Sequence, residues 1–223
     1  MAEYPINSVD LGVINEGSWI GTPAVIVRFQ GCQVGCHNCD ARETWELRGD
    51  HRIPKIELVK KRAFDSPLWG TLSLEDLVDV IRFRHAPPYT VLLTGGEPLL
   101  YEMEEICSAL HDLGFQTVLE TSGTCLYKLP AFVWVRCCPK FRRPGGLQVH
   151  SDSLSRADEV CMLVETAQDL RDFDLAMEWI DEDVQEIYLQ PVSDNLDALE
   201  LCAAACIEKG WKLSQKTSRL LAR

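Results

Sequence analysis

Three thiols lie within eight residues, at Cys32, Cys36 and Cys39, in the pattern C-x3-C-x2-C. Thiolates this close can wrap one soft metal centre, and sulfur ligands select zinc, copper or iron–sulfur clusters. Gly31 and Gly35 let the backbone turn tightly enough for the sulfurs to converge. A structural zinc wants four protein ligands, usually as C-x2-C pairs. No second C-x2-C pair occurs here, so a zinc knuckle would need His37 as its fourth ligand. Three inert thiols are the plain reading. Three thiolates also suit a [4Fe–4S] cluster held at three irons, with the fourth iron open.

Other residues stand where they would serve a ligand. Gly95-Gly96-Glu97-Pro98 ends an apolar run. Two glycines admit a ligand close to the backbone, and Glu97 offers a carboxylate to an ammonium group. An ordinary strand-to-helix turn is the simpler reading. Glu120-Thr121-Ser122-Gly123-Thr124 ends another run with a carboxylate and hydroxyls suited to ribose. Lys140 follows Pro139 and would meet a carboxylate, or stand on the surface. Gln190 precedes Pro191 and would reach a heterocycle edge, or cap an element. Arg28 falls inside an apolar stretch, where a guanidinium needs an anion. A structural ion pair with Glu16 would satisfy it.

Together these blocks resemble the radical S-adenosylmethionine (SAM) enzymes, and among them the 7-carboxy-7-deazaguanine synthase family. The resemblance rests on Tyr4-Pro5-Ile6-Asn7, Glu16-Gly17, Gly21-Thr22-Pro23-Ala24, Arg28-Phe29-Gln30-Gly31-Cys32, Thr94-Gly95-Gly96-Glu97-Pro98, Glu120-Thr121-Ser122-Gly123-Thr124, Pro139-Lys140 and Leu189-Gln190-Pro191. They keep the family's order and span nearly the whole chain. The resemblance implies that Cys32, Cys36 and Cys39 hold a [4Fe–4S] cluster. It assigns Gly95, Gly96, Glu97, Glu120 and Ser122, with Lys140 and Gln190, to SAM, and Glu16 and Arg28 to a pterin substrate. The implied reaction turns 6-carboxy-5,6,7,8-tetrahydropterin into 7-carboxy-7-deazaguanine, through hydrogen abstraction by a 5′-deoxyadenosyl radical, ring contraction and loss of ammonia. The implied partners are a small pterin-like substrate, an external electron donor such as flavodoxin, and a second copy of the chain. A paralogue running the same chemistry on another substrate is the runner-up. A glycyl-radical activase shares the cluster loop, but the Tyr4–Asn7 and Gly21–Ala24 blocks weigh against it.

The chain departs from the family at a few positions. Ile14-Asn15 stands where Gln-Gly is common, and Asp10 replaces an aromatic residue. Ala41 replaces a Thr whose hydroxyl helps bind Mg²⁺, so magnesium use is in question. Lys216-Thr217-Ser218-Arg219 replaces Gln-Thr-His-Lys. These changes fall in the pterin and magnesium pocket, while the cluster and SAM blocks are kept.

The bulk properties agree with a cytoplasmic enzyme. The 223 residues, 46% hydrophobic, suit one domain with a full core. No apolar run reaches membrane-span length, and residues 1–5 lack the marks of a signal peptide. Ten cysteines without an export signal point to free thiols in a reducing compartment, most of them small buried hydrophobes. The net charge is −12, and residues 157–200 hold 14 acidic residues against one basic, Arg171. That stretch reads as a solvated face and argues against nucleic-acid binding.

The elements that must position these residues alternate. Strands are expected at 24–29, 89–94, 115–120, 132–136, 158–163 and 185–190, with a short one at 211–214. Helices are expected from a Ser73 cap to Arg84, at 101–113, from a Thr166/Asp169 cap to about Ile180, and at 195–209 before Gly210. Residues 4–23 read as a lead-in loop. Residues 46–72 read as a surface excursion with basic His51-Arg52 and Lys60-Lys61-Arg62. Alternation argues for parallel strands with helical crossovers. About six fall short of a closed eight-stranded barrel, so the expected fold is a partial, open-sided α/β barrel forming a single domain over 1–223, with its cluster loop at 31–40.

Overall fold

Short β-branched runs separated by capped helices set the architecture. In the computed structural model, residues 2–58, 63, 65–84, 89–181 and 184–215 are described. In chain order the elements are β1 (Glu3–Val13), β2 (Pro23–Phe29), α1 (Lys55–Leu58), β3 (Gly70–Ser73), α2 (Leu74–Arg84), β4 (Thr90–Gly95), α3 (Glu104–Asp112), β5 (Gln116–Thr121), β6 (Trp134–Cys137), α4 (Ser151–Ser155), β7 (Glu159–Val164), α5 (Ala167–Ala176), β8 (Glu186–Pro191), α6 (Leu196–Lys209) and β9 (Lys212–Leu213). The nine strands form one sheet in the order β3-β1-β2-β4-β5-β6-β7-β8-β9. From β2 to β9 every neighbour is parallel. β1 runs antiparallel to β2, and β3 antiparallel to β1. The sheet does not close, as expected, and the short strand after α6 brings the parallel set to seven.

The helix boundaries follow local chemistry. Ser73 Oγ accepts the Asp76 N–H at 3.1 Å, and Asn195 Oδ1 accepts the Ala198 N–H at 3.0 Å. Thr166 and Asp169 form a reciprocal capping box. Gly210 ends α6 in the left-handed region at φ 73°. α3 begins three residues later than its periodicity suggests, because Pro98–Leu100 first forms a 3₁₀ turn.

Two expectations are corrected at the N-terminal side. Residues 4–23 are not a loop, since most of β1 lies there and buries Tyr4, Ile6 and Val9. A register shift between Ile6 and Ser8 breaks its alternation, and Pro5, Asn7 and Gly12 mask its strand character. The 46–72 excursion contains α1 and the start of β3, with Leu58 and Trp69 buried. Arg52 lies over the Trp69 ring, so that part of the basic patch covers the core. Lys60-Lys61-Arg62 and Lys216–Arg219 lie outside the described residues.

Side-chain alternation divides the sheet's two faces. Val25, Val27 and Phe29 join Leu77, Ile81, Ile106 and Leu110 in the core under α2 and α3. A second core packs Val160, Met162 and Leu189 against Phe173 and Cys202 of α5 and α6. The residues between them, such as Arg28, Thr94 and Glu120, face the other way, into a cavity.

Candidate active site

The cavity measures about 1010 Å³ and opens at the C-terminal ends of the parallel strands. That edge is where parallel α/β sheets place their ligands. All twelve residues singled out from the sequence line it: Cys32, Cys36, Cys39, Gly95, Gly96, Glu97, Glu120, Ser122, Lys140, Gln190, Glu16 and Arg28.

The cluster loop leaves β2 and is framed by backbone bonds. Gly31 N–H donates to Thr44 O at 2.7 Å and Cys32 N–H to Trp45 O at 3.0 Å. Glu97 N–H donates to Gly31 O at 2.8 Å, and a Cβ on Gly96 would strike that same oxygen. Gly95-Gly96 is thus required for packing against the loop, whatever else it binds. His37, the candidate zinc ligand, is instead bonded through Nε2 to Glu165 at 2.7 Å, and Asn38 donates to the same carboxylate at 3.0 Å. Among the described residues no three His, Cys, Asp or Glu converge on a single ion. Three thiols on one loop that line one cavity suit an iron–sulfur cluster held at three of its irons.

Burial raises the Cys32 thiol to about 11, with Glu97 adding to the effect. Burial raises Cys36 as well, while Lys140 and Arg143 pull it down. Iron binding must therefore drive these protons off. Cys39 Sγ already accepts from Trp45 Nε1 at 3.3 Å and from Ala41 N at 3.4 Å, donors suited to a thiolate.

Glu97 is buried and its carboxylate is engaged. Oε1 accepts from Thr121 Oγ1 at 2.9 Å and from Leu99 N at 3.2 Å; Oε2 accepts from Ser122 N at 2.8 Å and from Ser122 Oγ. Ser122 Oγ also lies 2.8 Å from Thr124 Oγ1. Lys140 sits among Cys138, Cys36 and Cys161; burial opposes its charge, but the thiols outweigh that and hold its pKa up. Gln190 Oε1 accepts from Cys161 Sγ at 3.3 Å.

A polar row crosses the sheet, and sequence reasoning missed its centre. Arg28 is in register with Thr94, Glu120 with Arg136, and Arg136 with Glu159. Thr94 Oγ1 donates to Glu120 Oε2 at 2.5 Å. Arg136 is fully buried and gathers three acids. Its Nη1 lies 2.5 Å from Glu120 and 4.0 Å from Glu16, its Nε meets Glu159, and its Nη2 donates to the Glu16 carbonyl at 2.5 Å. Burial opposes this charge, yet Glu120 and Glu159 outweigh it and raise the pKa further. Arg136 thus supplies Glu16 with an ion-pair partner that the sequence expectation did not include. Glu159 is fully buried, so the acidic stretch is not wholly a solvated face; its Oε2 accepts from Ser18 N at 3.0 Å and Trp134 Nε1 at 3.3 Å. The Arg28 charge is felt at Glu43, whose carboxyl burial raises and Arg28 lowers. The one sequence signal for Arg136 was a charged residue within an apolar strand; its acid partners are set by strand register.

Ala41 is 5% exposed, and its carbonyl accepts from Thr44 Oγ1 at 2.7 Å and Thr44 N at 3.0 Å. Ala41 itself contributes no side-chain oxygen.

Known proteins match this arrangement. The family model of the radical SAM superfamily matches residues 26–135. The 7-carboxy-7-deazaguanine synthase of Escherichia coli is 36% identical over 98% of both chains. That of Buchnera aphidicola is 30% identical over 98% of both. The crystal structure of QueE from Escherichia coli superposes with a TM-score of 0.90 at 36% identity, covering 96% of this chain and 94% of that one.

Proposed function

We infer the reaction from one premise: this chain belongs to the 7-carboxy-7-deazaguanine synthase family of radical SAM enzymes. It is a radical SAM lyase of queuosine and related deazapurine biosynthesis, forming 7-carboxy-7-deazaguanine from 6-carboxy-5,6,7,8-tetrahydropterin. A [4Fe–4S] cluster and SAM, once bound, would supply the radical chemistry that this conversion of the pterin requires. The observation that carries the site assignment is that all twelve residues, the three thiols among them, line one cavity.

Cys32, Cys36 and Cys39 would hold three irons. Glu97, with Gly95 and Gly96, would receive the SAM ammonium. Its four acceptor positions are filled by its own neighbours, so Ser122 Oγ must turn to Thr124 to free one. Glu120 and Ser122 would hold the ribose, Lys140 a carboxylate and Gln190 the base edge. Arg28 would pair with the substrate carboxylate, and Glu16 would hold the pterin amine side. The dry wall of Leu92, Leu163 and Val34 would keep water from the reacting atoms. Ala41 offers magnesium no side-chain oxygen, so a hard cation would depend on other oxygens, from backbone, substrate or water.

The chain would work in a reducing cytoplasm with an external one-electron donor such as flavodoxin. The ten free thiols favour that compartment. It would pair with a second copy through Leu11, Val13 and Ile20, which stand exposed around the β1–β2 connection.

The test is anaerobic. Reconstituted protein should bind about four irons and four sulfides at one site. Alanine at Cys32, Cys36 or Cys39 should abolish this. With SAM, reductant and the carboxytetrahydropterin it should yield a product with the mass of 7-carboxy-7-deazaguanine. SAM cleavage without pterin conversion would assign the same chemistry to another substrate, and tight stoichiometric zinc that survives reconstitution would overturn the cluster.

A further inference from the structure

Trp45 gives its indole N–H to a sulfur. Its Nε1 lies 3.3 Å from Cys39 Sγ, and Trp45 lines the cavity together with the three thiols. Trp69 and Trp134 give theirs to oxygen, the Arg48 carbonyl at 2.9 Å and the Glu159 carboxylate at 3.3 Å. A neutral thiol is a weak acceptor, and an ionised one is far stronger. The Trp45 donor is therefore aimed at an acceptor that gains strength once it is ionised and ligated.

The local fold fixes that aim. A 3₁₀ turn at Arg42–Thr44 brings the chain back to the third cysteine. Trp45 O accepts the Cys32 N–H at 3.0 Å, so one residue bonds the first cysteine through its backbone and the third through its side chain. The Arg42 guanidinium lies 5.9 Å from the centre of the Trp45 ring and donates from Nη2 to the His37 carbonyl. From outside the loop, Gly145 N–H donates to Val34 O at 3.1 Å, and a Cβ on Gly145 would strike Gln33 O. Sulfur and indole thus stand on segments pinned to one another.

We propose that Trp45 is a positioning residue that raises the reduction potential of the cluster by donating its Nε1–H to the Cys39 sulfur. This rests on the reading of Cys32, Cys36 and Cys39 as cluster ligands. Hydrogen bonds to the ligating sulfurs are among the factors that set the potential of an iron–sulfur centre. Reduction adds one electron, from the external donor, to a centre that already carries three thiolates. The sulfurs become better acceptors, and a donor already in place favours the reduced form. Ala41 N–H, 3.4 Å from the same sulfur, is a backbone donor that side-chain substitution leaves in place, so Trp45 is the part that can be varied.

The experiment is a redox titration of the reconstituted protein, followed by the electron paramagnetic resonance of the reduced cluster, with iron content and SAM binding measured in parallel. Trp45→Phe keeps an aromatic ring and removes the N–H. At equal iron content it should move the midpoint to a more negative value, with on the order of tenfold less reduced cluster at a fixed poise, a shift of about 59 mV for one electron. Replacing Trp45 with β-(3-benzothienyl)alanine, which has sulfur in place of the indole nitrogen, keeps the size and shape of the ring and should give the same shift. Unchanged midpoints at full iron content would overturn the proposal. So would a shift with Phe but none with the sulfur analogue, which would make the effect one of packing. Weakened SAM binding at an unchanged midpoint would also overturn it and give Trp45 to SAM. If Trp45→Phe does not load, the analogue decides; if neither loads, the bond serves assembly and the proposal falls. A wild-type protein that takes no cluster would instead refute the ligand assignment beneath it.

Discussion

At the scale of single residues, Arg136 sets the terms of the site. One guanidinium binds the carbonyl of Glu16 and the carboxylates of Glu120 and Glu159, so it joins the sides of the cavity proposed for pterin and SAM. Arg136→Met would leave Glu159 buried and uncompensated, at a cost of roughly 3–5 kcal/mol. Urea unfolding of the anaerobic protein measures this; a loss below about 1 kcal/mol would mean that Glu159 is neutralised by other means. Arg28→Ala should act differently. It should cripple pterin conversion while slow uncoupled SAM cleavage persists, because the residues proposed for SAM are untouched. Loss of a buried charge-assisted contact of this kind costs about 2–5 kcal/mol. Equal losses of both activities would take Arg28 out of the substrate site. Every cavity residue chosen from the sequence proved to line the cavity, because motif glycines, acids and thiols carry local signals. Arg136 escaped because its partners lie 16 and 23 residues away on neighbouring strands, and no local pattern announces a cross-strand row.

At the scale of elements, the cluster loop depends on segments it does not belong to. Gly145→Ala should push 141–146 off Gln33. We expect reduced iron retention after gel filtration with an unchanged far-ultraviolet spectrum, since no helix or strand spans Gly145. Retention equal to the wild type would show that the contact is not needed. The parallel strands and the capped helices were legible, since each has an apolar run and a stop signal. β1 was not. Its bulge next to Asn7 breaks the two-residue period, and Asn7 Nδ2 is spent on Gln30 Oε1 at 3.1 Å and the carbonyls of Ser66 and Leu68. An asparagine that ties a sheet edge to a distant loop reads as a turn residue in sequence.

At the scale of the whole molecule, the chain carries a common alkaline limit. Burial lifts the Tyr4 and Tyr101 hydroxyls from 10.0 to about 12, and the Cys107 and Cys202 thiols from 9.0 to about 12. A raised folded-state pKa means that the folded form holds its proton more tightly than the unfolded one. The stabilisation is complete below the unfolded values and is lost as pH rises toward the folded ones. The Tm should hold to about pH 9 and fall steadily between there and about 12. A flat Tm up to about pH 11 would contradict this. Association is a separate matter. Light scattering should give a dimer at micromolar concentration, and Ile20→Glu should shift it toward monomer; a wild-type monomer would remove the second copy.

The tethers of the cluster loop also fix a schedule. Glu165 lies 128 residues after His37 and 127 after Asn38, and Gly145 follows the thiols nearly as far. A ribosome needs on the order of ten seconds to cross such a distance. For that interval the three cysteines are exposed on a growing chain with nothing to hold their loop still. Any thiophilic ion can reach them, and zinc binds such ligands readily. The choice between zinc and iron–sulfur is then decided by timing as much as by affinity. Chains released at residue 150 should come away with zinc and no lasting cluster, whereas chains that include Glu165 should accept the cluster. Equal cluster uptake by both would show that the loop is competent before its tethers exist.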